Sequence, residues 1–231
     1  MTTMGTPGGS RLRIAVLLSG NGTSLENLLE HIDSGEVPGE VVVVISSKAN
    51  AYGLERARQH GIPAIAIPRK DHTDPNAFND ALHAALDPYG VELVALLGFL
   101  SLFQLRGRYE GRTLNVHPAL IPAFSGTGFY GKRVYEAVLA AGVKLTGATV
   151  HFTDDEYDHG PILLQESVPV EAGDTPDTLA ARVTALERRL VPQAIRLIAE
   201  ERVEIKDGCT RLVERPDYLQ TAPPEVLNEG E

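Results

Sequence analysis

Cysteine is almost missing from this chain: Cys209 is the single one. An internal disulfide is therefore excluded, and no Cys/His cluster with ligand spacing suggests zinc. Such usage fits a reducing cytoplasm. Positive charge is short as well. Lys and Arg number 21 against 31 Asp and Glu, a formal net charge of −10. That balance disfavours a general nucleic-acid binder, which needs a basic face for phosphates. Small anions stay admissible where a site is built locally for them. No apolar run approaches membrane-spanning length. Residues 1–10 are polar, contain Gly and Pro, and hold no apolar signal core, so they are expected to be a disordered lead-in. There is no internal repeat and no sign of a second domain.

What is present is a chain of 231 residues with an ordinary 43% hydrophobic content, enough for one large domain and a substantial core. Short apolar runs at 13–18, 41–45, 64–67 and 93–97 read as buried strands. Between them lie helical patterns at 25–32, 53–60 and 75–86, the last with Asp74 as its N-cap. Further strands are expected at 145–152 and 162–170, with a helix at 134–141. Asp174 is expected to open a long final helix, with Thr175, Pro176 and Asp177 in its first turn. Leu179, Val183, Leu186, Leu190, Ile195 and Ile198 form its buried stripe. The fold class is α/β: a single-domain, mostly parallel, Rossmann-like twisted sheet with helices on both faces. The domain covers 11–205, followed over 206–231 by a hairpin around Asp207-Gly208 and an extended acidic tail. Ligands of such sheets bind beyond the carboxyl ends of the strands.

Several motifs converge on that edge. Ser19-Gly20-Asn21-Gly22-Thr23-Ser24 joins the first strand to the first helix. Glycines let backbone approach a ligand, and a helix start offers unpaired N–H groups, so the turn suits an anion, above all phosphate. It is not a dinucleotide fingerprint, because Leu25 fills the third glycine position and Glu40 precedes the second strand rather than ending it. It is not an NTP-binding loop, because no Gly-Lys-Ser/Thr follows. Asn115 and His117 stand two residues apart at a strand end and so share one face. Pro118 and Pro122 stiffen the exit from that strand. An amide and an imidazole fixed together can stabilise an oxyanion and move a proton. The Gly-rich segment 123–133, with its loop Gly126 to Arg133, reads equally as a mobile ligand-touching loop or a connector. Asp154, Asp155, Glu156 and Asp158 form an acidic loop that fails the EF-hand pattern, with His159 and Gln165 in the wrong places. Asp158 differs from the rest, being flanked by Gly160-Pro161, and its loop is expected at the same sheet edge. Glu187, between Thr184 and Arg188, reads as a solvent-exposed helix charge.

The turn at 19–24, the run Asn115-Val116-His117-Pro118-Ala119-Leu120-Ile121-Pro122, and Thr149-Val150-His151-Phe152 through Asp158-His159-Gly160-Pro161-Ile162 occur in a familiar order. Over roughly 11–205 the chain resembles the phosphoribosylglycinamide formyltransferases (GAR transformylases), within the folate-dependent formyltransferases. The resemblance implies formyl transfer from 10-formyltetrahydrofolate to the amine of 5-phosphoribosylglycinamide, in purine biosynthesis, with no metal. It implies Asn115, His117 and Asp158 as a catalytic trio. Gly22, Thr23, Ser24 and Glu187 would hold the ribonucleotide. The folate pocket would be lined by Leu100, Ser101, Leu102 and Phe103, by Asp154, Asp155, Glu156, Tyr157 and Asp158, and by Asn115. Small molecules are the expected partners, with no nucleic acid and no membrane, for a monomer or homodimer. Leu100-Ser101 stands where a Met-Arg pair is usual in the family, which alters how a folate tail is held.

Four alternatives compete. A formyltetrahydrofolate hydrolase usually carries a regulatory domain before its catalytic one, and only about a dozen residues precede the first strand here. A methionyl-tRNA formyltransferase needs a basic C-terminal domain. A metal hydrolase could use His117, His151 and Asp158 as ligands but leaves Asn115 without a role. A phosphate-ligand sensor explains the glycine turn but not the trio.

Overall fold

Strand β1 (Leu12–Leu18) is buried from Ile14 to Leu18 without interruption, as befits a central strand covered on both faces. The computed structural model describes residues 11–214; the expected lead-in over 1–10 and tail over 215–231 lie outside them. Around β1 lie β2 (Gly39–Ser46), β3 (Ala64–Ala66), β4 (Leu93–Leu96), β5 (Thr113–His117), β6 (Leu145–Phe152) and β7 (Ile162–Pro169). Their spatial order is β3-β2-β1-β4-β5-β6-β7. The first five are parallel, while β6 runs antiparallel to both β5 and β7.

Alternation along β1 divides the core in two. Ile14, Val16 and Leu18 face the helices α1 (Thr23–Asp33), α2 (Tyr52–Gln59), α4 (Lys132–Ala141) and α5 (Pro176–Ala199). Ala15 and Leu17 face α3 (Pro75–Leu86), packed through Phe78, Leu82 and Leu86. In β2 the alternation breaks: Val41 and Val44 lie on the first side, Val43 and Ile45 on the second. The cause is a register shift, with Ile14 opposite Val41 but Ala15 opposite Val43, so that Val42 is the extra residue.

Two helix starts carry side-chain caps. Asp74 accepts from Asn76 N and Ala77 N at the head of α3. For α5 the cap is Thr175 rather than Asp174; it accepts from Thr178 N while Thr178 Oγ1 takes the Thr175 N–H. Asp174 lies outside the helix, where Arg182 chiefly, helped by Glu171 N–H and Thr178, holds its carboxyl below the ordinary range. Glu40 falls inside the start of β2 and pairs with Arg13 at 2.6 Å. The hairpin is present as β8 (Val203–Lys206) and β9 (Cys209–Leu212), turning at Asp207-Gly208.

Candidate active site

The carboxyl ends of the parallel strands open on a cavity of about 540 Å³. It takes in Ser24 of α1, Asn115 and His117 of β5, and Glu187 of α5. Leu100, Ser101, Leu102 and Phe103 line it after β4, and Asp154, Glu156, Tyr157 and Asp158 after β6. Gly22, Thr23 and Asp155 are not on its wall. Asp155 instead accepts from Leu105 N at 2.9 Å and so ties the two wall-forming loops together.

Asp158 arrives by a detour. Because β6 is antiparallel, Asn115 lies opposite His151 and Leu114 opposite Phe152, so the strand leads away from the ligand edge. The loop must fold back. Gly160, at φ +108°, makes this possible: a Cβ there would lie 2.3 Å from the Phe152 carbonyl oxygen. Asp158 itself takes φ +50°.

Asp158 meets both other members of the trio. His117 Nδ1 lies 3.2 Å from Asp158 Oδ2, with both side chains nearly buried, and Asn115 Nδ2 donates to Asp158 Oδ1 at 3.2 Å. Gly126 N–H donates to Asp158 Oδ2 at 2.9 Å. Burial alone would raise the Asp158 carboxyl, but the hydrogen bond and charge of His117, with the Gly126 N–H, hold it below the ordinary value. On the other side of the ring, His117 Nε2 donates to the Phe124 carbonyl at 2.8 Å. A carbonyl only accepts, so Nε2 carries a proton, and Nδ1 faces a carboxylate that can only accept when ionised.

A fourth member was not among the expected site residues. His151 Nδ1 donates to the Phe152 carbonyl at 2.9 Å, leaving Nε2 as acceptor for Asn115 Nδ2 at 3.1 Å. Burial keeps His151 below its ordinary pKa, consistent with this neutral tautomer. Both amide protons of Asn115 are thus engaged. In the sequence His151 had stood out only as a ligand in the metal-hydrolase alternative. Among the described residues no group of three or more His, Cys, Asp or Glu is arranged to hold a metal ion.

The glycine turn is built differently. Gly22, at φ +72°, precedes α1 without any side-chain cap, so the first N–H groups of the helix are left to a ligand. Its Cα side faces α2 so closely that a Cβ would lie 2.6 Å from Gly53 Cα. Gly53 N–H donates to Gly20 O at 3.1 Å and Arg56 Nε to Asn21 O at 2.9 Å, bracing the turn from behind. Glu187 is not the exposed charge its neighbours suggest. It is half-buried on the cavity wall, and burial pushes its carboxyl up to about 7, against the opposing pull of His117.

Fold and site together define a doubly wound α/β enzyme of the group-transfer class, with an amide, an imidazole and a carboxylate side by side on its cavity wall. The chain belongs to the formyl transferase family, whose model matches residues 12–195. It is 35% identical over 203 residues to the phosphoribosylglycinamide formyltransferase of Escherichia coli (strain K12), covering 87% of this chain and 93% of that one. It is 39% identical over 201 residues to the trifunctional purine biosynthetic protein adenosine-3 of Gallus gallus, covering 86% of this chain but spanning only 20% of that longer protein. The crystal structure of glycinamide ribonucleotide transformylase 1 from Symbiobacterium toebii superposes with a TM-score of 0.83 at 43% identity, over 90% of this chain and 96% of that one.

Proposed function

We propose that the protein transfers the formyl group of 10-formyltetrahydrofolate to the amine of 5-phosphoribosylglycinamide, in the cytoplasm, as a monomer or homodimer. One observation carries the reading. Asp158 contacts both Asn115 and His117 on the wall of a single cavity that also takes in Ser24, Glu187 and the loops after β4 and β6.

The ribonucleotide phosphate sits on the N–H groups of the Gly22-Thr23-Ser24 turn, and Glu187 accepts from ribose hydroxyls. The folate ring lies against residues 100–103 and 154–158. The amine nitrogen attacks the formyl carbon and forms a C–N bond, leaving negative charge on the formyl oxygen. The His117 imidazolium donates to that oxygen as a charge-assisted hydrogen bond in place of Phe124, and Asn115 donates by releasing one of its two present acceptors. The attacking nitrogen gives up a proton towards Asp158. Collapse breaks the bond to the folate nitrogen, which receives the proton held by Asp158, directly or through water, and leaves as tetrahydrofolate. While it is ionised, before it takes that proton and after it gives it up, Asp158 also favours the charged form of His117.

The test is release of tetrahydrofolate with both substrates, in buffer freed of metal by a chelator. Full turnover that depends on the ribonucleotide is expected. Formate release without the ribonucleotide would mean a hydrolase, and activity lost to the chelator would mean a metal enzyme.

A further inference from the structure

Two buried polar residues of α3 lie outside the cavity yet govern one of its walls. Asn79 is 1% exposed and His83 5%, four residues apart and therefore on one face of the helix. Both reach the segment after β4. Asn79 Nδ2 donates to the Leu102 carbonyl at 3.3 Å, and Asn79 Oδ1 accepts from Gln104 N at 2.8 Å. These are the two peptide groups that flank Phe103. The carboxamide therefore pairs with the loop as a neighbouring strand would, fixing the backbone at Phe103. His83 Nε2 donates to the Gln104 carbonyl at 2.7 Å, and its ring stacks on Phe103 with centroids 5.1 Å apart and planes 13° from parallel.

His83 is held as a neutral donor. Nε2 must carry its proton for the Gln104 carbonyl, and Nδ1 is buried with no partner. Burial lowers its pKa accordingly. Nothing in the trio touches either residue, so neither serves the chemical step directly. What they control is where Leu102 and Phe103, both on the cavity wall, stand relative to the bound ligand.

We infer that Asn79 and His83 are positioning residues for the folate-binding wall, a role that rests on the function proposed above. They act through the backbone of 102–104 and set affinity for the folate co-substrate rather than the rate of transfer.

The experiment compares steady-state kinetics of the full chain with Asn79→Leu and His83→Phe, alongside calorimetric binding of tetrahydrofolate. Asn79→Leu removes both loop bonds. It should raise KM for 10-formyltetrahydrofolate about tenfold and weaken tetrahydrofolate binding equally. His83→Phe keeps the ring stack and loses only the bond to Gln104, so about threefold is expected. In both, kcat and KM for the ribonucleotide should stay within about twofold. If Asn79→Leu does not fold, His83→Phe carries the test alone. Parallel rises in both KM values, or no change in the folate KM, would overturn the inference while leaving the function standing. An inactive wild type that binds no tetrahydrofolate would instead remove the function and the inference with it.

Discussion

The glycine turn and the catalytic corner, both at the ligand edge of one sheet, are made of different material. In the turn the backbone is what a ligand would meet: Gly22 at φ +72°, an uncapped helix start, and Gly53 packed directly behind. Its nearest guanidinium, Arg56, is already committed to Asn21 O and, at 2.8 Å, to Glu26. In the corner side chains do the work, and their bonds close on one another: Asn115 to His151 and Asp158, His117 to Asp158 and Phe124. A backbone site tolerates no added atoms, whereas a side-chain site tolerates no lost ones. Substitutions should therefore separate the two regions cleanly.

The largest effect is expected in the corner. His117→Ala should lower kcat about 10³-fold, the size of losing an oxyanion donor or a proton-transfer group. Asp158→Asn keeps the size of the side chain and removes the charge that pairs with His117. If the two work as a unit, the double variant loses far less than the product of the single losses. Calorimetric ribonucleotide binding should stay nearly intact in Asp158→Asn. Fully multiplicative losses of turnover would separate Asp158 from His117 and leave it a direct proton acceptor or a structural group.

A middling effect is expected in the turn. Gly22→Val puts a β-branched residue at positive φ, with its Cβ 2.6 Å from Gly53 Cα. The strain should lower stability, and the displaced backbone should raise KM for the ribonucleotide about tenfold, with the folate KM little changed. Equal rises in both would take Gly22 out of the ribonucleotide site.

The smallest effect bears on Glu187, which lines the cavity but belongs to neither material. Its folded pKa of about 7 lies above the ordinary 4.5. Between those values the folded protein holds more proton than the unfolded chain, so stability from this group falls as pH rises through that window and is fully lost above it. Glu187→Gln should raise Tm by about 2–4 °C at pH 8 and leave it nearly unchanged at about pH 4, below the ordinary pKa. The same shift at both pH values would mean that charge is not the cause.

The two regions also differ in how far they could be read beforehand. The turn was legible because its physics is local: two glycines, a strand before and a helix after. Asp74 at the head of α3 was legible for the same reason. Asn115 and His117 were legible as a pair because alternation along β5 puts them on one face. Their partners were not. His151 joins them only through the antiparallel register of β6, and Phe124 and Gly126 only through a loop with positive φ at both residues. Asp155 read as one more pocket carboxylate, since nothing local announces that Leu105 N would claim it. Glu187 read as solvent-exposed because its helical neighbours are polar, while the wall it meets comes from elements far away in the chain. Thr175 took the cap expected of Asp174 because Arg182, eight residues beyond Asp174, holds that carboxylate.

The bond from His117 Nε2 to the Phe124 carbonyl sets a threshold for anything that enters. A neutral carbonyl that takes Phe124's place exchanges one acceptor for an equivalent one, a near-even trade. An oxygen bearing negative charge gains by the exchange, because charge-assisted bonds are shorter and stronger. The loop thus acts as a reference against which ligands are compared: an uncharged ground state gains nothing over the empty site, and the margin appears only as charge develops on the oxygen.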